Sequence, residues 1–577
     1  MKFAESPVLA PPLPSWRARA VLVLLSGALV ALGGRAFYLQ GLNREFLQAK
    51  GESRYSRVLE IPALRGRILD RNGEALAIST PVKSIWAIPE DVALAAGDLE
   101  QLAAALELPR AEVRRRLGGT ERDFVFLRRQ VPPELADRVQ ALGVPGLYQS
   151  TEYRRYYPGG EATAHLLGFT SVDEKGQEGI ELAYEKRLAG HPGTRRVIKD
   201  RRGQVVEDLE GARPAQHGQD VVLALDSRIQ SIAFGQLKAA VARNRARAGG
   251  VVVLDAVTGE LLAAANLPTY NPNNRSGLTG AALRNRALVD TFEPGSTLKP
   301  ITVAAALEAH RVSPRTAIQT APGTLAIGSA TIRDVHRSGV LTVAEVLQKS
   351  SNVGAAKIAL MLPPALMWEI FEGVGFGREP ELGFPGEASG RLRPYKTWKP
   401  IEQATMSYGH GISVSLLQLA RAYTIFARDG VLLPVSLEKR AAPPAGQPVV
   451  EPGTARAVRS MLELAVQPGG TGPRAQIMGY RVAGKTGTAH KQENGAYAAD
   501  KYVSSFVGLA PASNPRLVVA VMIDEPSAGE HFGGTVAAPV FAAVMAGALR
   551  ILGVPPDAPM RPIELPPSGA DIPEESV

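Results

Sequence analysis

The longest apolar stretch in the chain lies at its amino end. From Ala20 to Leu39 nearly every position is apolar, Arg17 and Arg19 precede the run, and Arg35 interrupts it near its far end. About 20 residues rising ~1.5 Å each span the ~30 Å hydrocarbon layer of a bilayer if Arg35 snorkels to the headgroups. The pattern predicts a membrane anchor over residues 18–40 behind a cytoplasmic tail, residues 1–17, in which Lys2, Arg17 and Arg19 favour an inside amino terminus. A cleaved export signal is the rival reading of the same run, and no convincing A-x-A cleavage site follows it.

Residues 41 to 218 alternate short strand-like and helical runs with turns and read as a spacer or pedestal. From residue 219 the periods sharpen. Val221-Val-Leu-Ala-Leu-Asp226 reads as a strand, then Ser227–Asn244 as a helix with apolar positions at Ile229, Ile232, Ala233, Leu237 and Val241, capped by Asp226 or Ser227. Gly250–Asp255, a turn at Val257-Thr258-Gly259 and Glu260–Asn266 predict a hairpin, and Val503–Ala510 with Leu517–Ile523 repeats it. Helical runs at Ile301–His310, Ala344–Ala359, Leu416–Arg428 and Ala538–Leu552 predict covers for the sheet. The fold class is therefore α/β in the α+β sense: a central antiparallel sheet flanked by helices, over residues 219–553. Residues 554–577 read as a Pro-rich tail, with seven prolines in the last 25 residues of the chain.

Composition narrows the function classes. At 577 residues the chain exceeds one ordinary core, and 45% hydrophobic with 21% charged residues excludes both a disordered chain and a polytopic membrane protein. A net charge of +9 allows nucleic acid, anionic lipid or an acidic wall polymer as neighbour. The basic clusters Arg114-Arg115-Arg116, Arg195-Arg196 and Arg201-Arg202 are short and scattered, so no nucleic-acid partner is expected. The absence of cysteine rules out disulfides, thiolate metal sites and a Cys nucleophile. The histidines His165, His191, His217, His310, His336 and His410 show no metal-binding spacing, and neither a metal nor a cofactor is expected.

Three short motifs carry chemistry. In Pro294-Gly-Ser-Thr-Leu-Lys299, Ser296 and Lys299 lie one turn apart on a helix start, so an uncharged lysine amine could take the serine proton. Ser350-Ser351-Asn352 offers a hydroxyl able to relay a proton and an amide able to hold a carbonyl. Lys485-Thr486-Gly487-Thr488 follows the strand-like Tyr480–Ala483 and offers a cation and two hydroxyls to a carboxylate. Each alone is weak: the serine could be a helix cap and the tripeptide a polar helix end. Gly479-x4-Gly484-Lys485-Thr486 also matches a P-loop, but Gly487–Gly495 has turn formers and no helical period to open on phosphate. The informative feature is the ordered set S-x-x-K, S-x-N, K-T-G with strand and helix contexts that fit.

That set resembles the penicillin-binding proteins and serine β-lactamases. Arg65-Gly-Arg-Ile-Leu-Asp-Arg-Asn-Gly73, Gly179-Ile-Glu-Leu182 with Gly190 and Gly193, and Leu267-Pro-Thr-Tyr-Asn-Pro-Asn-Asn274 narrow it to class B, monofunctional penicillin-binding proteins, over residues 16 to 553. Phe292–Ser296, Ser407-Tyr-Gly-His-Gly411 and Phe532–Val540 look most like the division-specific peptidoglycan D,D-transpeptidases, with the elongation branch second.

The resemblance implies that Ser296 attacks the penultimate D-alanine carbonyl of a stem pentapeptide, Lys299 takes its proton, and Ser350 passes a proton to the departing D-alanine. It implies that Asn352 holds Lys299 and a substrate amide, and that Lys485, Thr486 and Thr488, with Gly487 between them, bind the carboxylate of the stem or of a β-lactam. The backbone N–H groups of Ser296 and Thr488 would form the oxyanion hole. Tyr502 and Phe532 would form an aromatic wall, where His531 stands in place of a common tyrosine and His490 in place of a usual Lys or Arg. Lipid II-derived strands, a polytopic lipid-II glycosyltransferase, other division proteins and the inner membrane are the implied partners, with the catalytic domain outside. Rival functions are a β-lactamase or carboxypeptidase, which would need an activated water, and a β-lactam sensor or division scaffold without turnover.

Overall fold

The computed structural model describes residues 15–42, 56–95, 97–118, 124–199, 205–493 and 495–563. The first element, α1 (Ser15–Phe37), runs into a π-turn at Tyr38–Leu42. Within the 27 residues Ser15–Gly41 an 18-residue stretch has a mean hydropathy of 2.0 and buries none of it, so this helix is long and apolar enough to cross a bilayer. A second apolar helix ends the catalytic region and differs in kind: over Gly533–Ile551 the hydropathy is 1.6, but more than half of it is buried inside the protein. A helix apolar on most sides can be a core helix as well as a span.

The pedestal is built around a 13-residue strand, Ala75–Ala87. Leu147–Tyr156 pairs with it antiparallel from Ile78↔Tyr156 to Ala87↔Leu147, and Val125–Val131 pairs along its other edge. Three short helices, Asp98–Ala105, Arg110–Leu117 and Pro133–Ala141, bring Leu102, Val113, Leu135 and Val139 onto Ile85 and Leu127 of that sheet.

The Arg65–Asp70 segment fastens pedestal to catalytic region. Glu181 is fully buried and accepts from Arg65 Nε and Arg155 Nε, each at 2.7 Å. Gly66 passes so close to Gln219 that a Cβ there would lie 2.0 Å from its carbonyl oxygen. Ile68–Leu69 runs parallel to Val221–Val222, and the Asp70 carboxylate accepts from the Ser227 hydroxyl at 2.8 Å. Of the predicted strand Val221–Asp226 only Val221–Val222 form a strand and Leu223 bridges to Glu438, before the chain turns into helix α2 (Ser227–Arg243), whose N-cap is Asp226.

The catalytic sheet has five antiparallel strands: β1 (Ala248–Asp255), β2 (Leu261–Leu267), β3 (Ala483–Glu493), β4 (Ala496–Ala510) and β5 (Leu517–Asp524), in the order β2-β1-β5-β4-β3. Successive residues of β1 face opposite sides, and both sides are covered. Val251 and Val253 pack with α2 and with α6 (Ala538–Ile551). Val252 and Leu254 pack in the other layer, with α3 (Lys299–Glu308), α4 (Asn352–Leu360), α5 (Pro452–Val466) and the helix Leu416–Ala422.

Four local expectations are corrected. The single helix expected over 344–359 is two, Val343–Gln348 and α4, broken where Ser350 takes the left-handed conformation at φ +58°. The helix expected over 416–428 breaks at Tyr423. Strand β3 begins at Ala483 rather than Tyr480 and continues through Glu493. Pairing to β4 from Ala483↔Leu509 to Glu493↔Ala496 makes a strand of residues whose own propensities read as turn. Finally, the tail is fastened over its first residues: Tyr480 Oη donates to the Val554 carbonyl at 2.6 Å, and Asp557 accepts from Arg481 N at 2.7 Å and Ser513 Oγ at 2.6 Å. Residues 564–577 lie outside the described residues.

Candidate active site

The nucleophile candidate sits on a tight turn, Gly295–Leu298, that leads into α3. Gly295 supplies φ +57°, and Tyr423 Oη donates to the Thr297 carbonyl at 2.7 Å, which fixes the turn from below. Ser296 and Lys299 are 2% and 0% exposed. Lys299 Nζ donates to Ser296 Oγ at 2.9 Å, to Ser350 Oγ at 3.0 Å and to the Ser350 carbonyl.

Ser350 is the hinge of the arrangement. Its left-handed backbone turns both its carbonyl and its hydroxyl toward Lys299, a strained conformation of the kind retained at functional sites. Its Oγ also accepts from Lys485 Nζ at 2.9 Å, so one hydroxyl joins two lysines. Next to it Ser351 caps α4, accepting from Gly354 N and donating to Asp334 at 2.6 Å. Asn352 departs from expectation. Its Nδ2 reaches the Arg333 carbonyl at 3.5 Å, while its buried Oδ1 has no hydrogen-bond partner, so it does not accept from Lys299, whose amine bonds Ser296 and Ser350 instead.

Strand β3 supplies the far wall. Lys485 Nζ donates to Thr486 Oγ1 at 3.1 Å, and Thr486 Oγ1 shares a 2.7 Å hydrogen bond with Thr471 Oγ1. Thr488 Oγ1 accepts from Gly533 N at 3.0 Å. Gly487 is where the strand passes the nucleophile turn: a Cβ there would lie 2.4 Å from Ser505 Oγ and 2.9 Å from the Pro294 carbonyl. No larger residue permits that approach.

The aromatic residues form one continuous stack. His490 and Tyr502 have ring centroids 4.7 Å apart, Tyr502 and His531 4.0 Å, and His531 and Phe532 4.2 Å. His531, where the resemblance puts a tyrosine, thus bridges Tyr502 to Phe532. A cavity of about 470 Å³ adjoins this end of β3, lined among others by Arg286, Asp290, Glu293, His490 and Asp524; Ser296 is not part of its wall.

Ser296, Lys299, Ser350 and Lys485 therefore converge in one hydrogen-bonded chain beside Thr486, whereas Ser351 bonds Asp334 and Asn352 bonds Arg333 instead. Reading by motif missed Thr471, Tyr423 and Asp334. Thr471 lies in Gly469-Gly-Thr-Gly472, which by itself signals only a turn, and the other two are single residues within ordinary runs.

Two lysines and two serines in one buried hydrogen-bonded chain define a serine-active acyl-transfer centre on an α+β scaffold. Comparison with known proteins agrees in both regions. Residues 249–546 match the penicillin binding protein transpeptidase domain, and residues 60–223 the penicillin-binding protein dimerisation domain. The "Probable peptidoglycan D,D-transpeptidase PenA" of Neisseria gonorrhoeae is 43% identical over 560 residues, 96% of each chain. The "Peptidoglycan D,D-transpeptidase FtsI" of Escherichia coli K12 is 42% identical over 94% of this chain and 93% of its own. An apo structure of the TP domain from Burkholderia pseudomallei penicillin-binding protein 3 matches over 58% of this chain and 98% of its own, at 52% identity and a TM-score of 0.54. The chain belongs to the class B penicillin-binding proteins.

Proposed function

We propose that this chain is a membrane-anchored peptidoglycan D,D-transpeptidase that cross-links stem peptides of the septal wall through an acyl-serine intermediate and is a target of β-lactams. The observation that carries this reading is the unbroken path from Ser296 Oγ through Lys299 Nζ to Ser350 Oγ, at 2.9 and 3.0 Å, with Lys485 2.9 Å from that same hydroxyl.

In the first half-reaction Ser296 Oγ bonds to the carbonyl carbon of the penultimate D-alanine and its proton moves to Lys299 Nζ. This needs the neutral amine, which burial and a second cation nearby both favour. The bond to the terminal D-alanine breaks, Ser350 Oγ hands a proton to the departing amine, and Lys299 Nζ, 3.0 Å away, returns its proton to Ser350. Such general acid–base steps contribute about 10²–10⁴-fold each. The oxyanion would be held by the N–H groups of Ser296 and Thr488, the stem carboxylate by Lys485, Thr486 and Thr488, and a substrate amide N–H by the open Oδ1 of Asn352. In the second half a neighbouring stem's amine attacks the ester and restores Ser296. Tyr502 and Phe532 would flank the bound stem.

In the same reading residues 18–40 anchor a pedestal of residues 41–218 and a catalytic domain of residues 219–553 to the outer face of the inner membrane, with the amino terminus inside. The septal assignment rests on the division-type motifs Phe292–Ser296, Ser407–Gly411 and Phe532–Val540. A lipid-II glycosyltransferase is the proposed partner of the anchor; loss of its co-purification when residues 16–60 are exchanged is expected, and retention would count against it.

The test of the activity is incubation of the full-length protein in detergent with D-alanyl-D-alanine-terminated glycan strands. Cross-linked dimers and free D-alanine in equal amounts are expected, with neither from Ser296→Ala. Free D-alanine without dimers would make the enzyme a carboxypeptidase, and no D-alanine at all would favour a scaffold.

A further inference from the structure

The strand that carries Lys485 and Thr488 and the segment that carries Ser296 run side by side beyond the groups used above. Gly295 lies against Thr488, since a Cβ on it would be 3.1 Å from the Thr488 carbonyl oxygen. Three residues before Ser296, Glu293 lies against Gln492, whose Nε2 donates to Glu293 Oε1 at 3.0 Å. Residues 293–296 thus flank β3 from Gln492 back to Thr488, and Glu293 lines the cavity of about 470 Å³ at that end of the strand.

Glu293 is a carboxylate without a cation among the described residues. Its Oε1 is filled, accepting from Gly411 N at 2.8 Å and from Tyr497 Oη at 3.2 Å as well as from Gln492. Its Oε2 accepts only from Tyr497 Oη, at 3.1 Å, among the described residues, and has a lone pair left for another donor. All three donors are neutral. The basic residues of the same cavity are held elsewhere: Arg284 and Arg286 by Asp290, and Lys491 by Asp524 at 2.8 Å and Glu525 at 2.6 Å. His490 donates from Nδ1 to the Ala498 carbonyl at 2.9 Å. The His410 ring, 5.8 Å from that of Tyr497 between centroids, has its pKa pushed down by burial to about 4 and carries no charge at neutral pH. Burial pushes the Glu293 pKa up, and an ammonium brought to Oε2 would draw it down again.

The path of a bound stem follows from the acylation geometry. With the terminal carboxylate toward Lys485 and the scissile carbonyl at Thr488, the part retained on Ser296 leaves along β3 toward Gln492. Four residues at ~3.3 Å each set Gln492 no more than about 13 Å beyond Thr488. Two extended stem residues span about 7 Å, and a side chain of five bonds of ~1.5 Å adds about 6 Å, so a terminal amine on the residue before the penultimate D-alanine reaches the carboxylate. We infer that Glu293 is the specificity residue for the third position of the stem, where its carboxylate pairs with the free amine of a diamino acid side chain. The inference rests on the reading of Ser296 as the acylated serine and adds to it the class of stem.

The test uses full-length protein in detergent and two thioester donors, Nα-acetyl-lysyl-D-alanyl-thioglycolate with the side-chain amine either free or acetylated; the readout is the ratio of their kcat/KM values for thiol release. Wild type is expected to prefer the free amine about tenfold, and Glu293→Gln, which keeps the size and an acceptor for Gly411 N, to bring the two donors within about twofold of each other. A role confined to holding the β3–β4 hairpin slows both donors alike, so a variant that keeps the wild-type ratio overturns the assignment. A wild type that does not distinguish the donors overturns it without any variant. A wild type that neither the thioesters nor benzylpenicillin acylate refutes the Ser296 reading itself, a distinct result.

Discussion

Ser350 separates chemistry from backbone strain. Its hydroxyl accepts from two amines, Lys299 at 3.0 Å and Lys485 at 2.9 Å, and its φ of +58° is one that a residue with a Cβ adopts at a cost. Hydrogen bonds to charged groups contribute about 1.5–3 kcal/mol each. Deleting the hydroxyl removes one such contact, to Lys485, a bond of about 0.5–1.5 kcal/mol to the neutral Lys299 amine, and the proton relay, so a loss of about 3–4 kcal/mol of transition-state stabilisation is expected, or two to three orders of magnitude in acylation rate. Ser350→Ala and Ser350→Gly both lose it. They should differ in stability, because alanine keeps the left-handed penalty of about 1–2 kcal/mol while glycine exchanges it for about 0.5–1 kcal/mol of unfolded-chain entropy. The glycine variant should melt about 1–3 °C above the alanine variant. The assay pairs the second-order rate of acylation by a fluorescent penicillin with thermal unfolding of the same samples. Either variant acylating within tenfold of wild type would refute the relay, and an alanine variant as stable as glycine would refute the strain.

Other perturbations have equally definite outcomes. Gly487→Ala puts a Cβ 2.4 Å from Ser505 Oγ and 2.9 Å from the Pro294 carbonyl, so β3 must move off the nucleophile turn; acylation at least tenfold slower is expected from stopped-flow rates. Glu181→Ala leaves Arg65 and Arg155 buried without their shared carboxylate, and about 3–5 kcal/mol of destabilisation is expected in denaturant melts, against near-neutrality if the triad is dispensable. His165 is buried, donates from Nε2 to the Ala282 carbonyl at 2.7 Å, and has its pKa pushed down, chiefly by burial, to about 4. Because the folded state binds that proton more weakly than the unfolded chain, whose ordinary value is about 6.5, stability should fall as pH drops from 6.5 to 4, by roughly 3 kcal/mol at most. His165→Gln should flatten that slope in melts across the interval, and an unchanged slope would show that other groups carry it.

Much of the site was legible because its chemistry is concentrated in contiguous motifs. Ser296 and Lys299 are one helical turn apart, and Lys485, Thr486 and Thr488 lie on one strand, so local spacing already groups them. The strands and helices of the catalytic domain follow apolar periods set by a sheet buried on both faces. What the sequence hid was long-range or strained. Nothing local announces that Ser350 adopts a left-handed backbone and splits a helix, since the penalty is offset by bonds to lysines 51 and 135 residues away. Residues 487–493 look like a turn because their strand conformation is imposed by β4 across the hairpin. Thr471 and Tyr423 reach the site from segments whose composition has no chemical signature, and the open Oδ1 of Asn352 depends on where Arg333 falls.

The central claim is that Ser296 is an acylating serine. Intact-protein mass spectrometry of the full-length protein in detergent, with and without benzylpenicillin, tests it against Ser296→Ala. One long-lived penicilloyl adduct per chain in the wild type and none in the variant is expected. An adduct that persists in Ser296→Ala, or a wild type that acquires none, would contradict it.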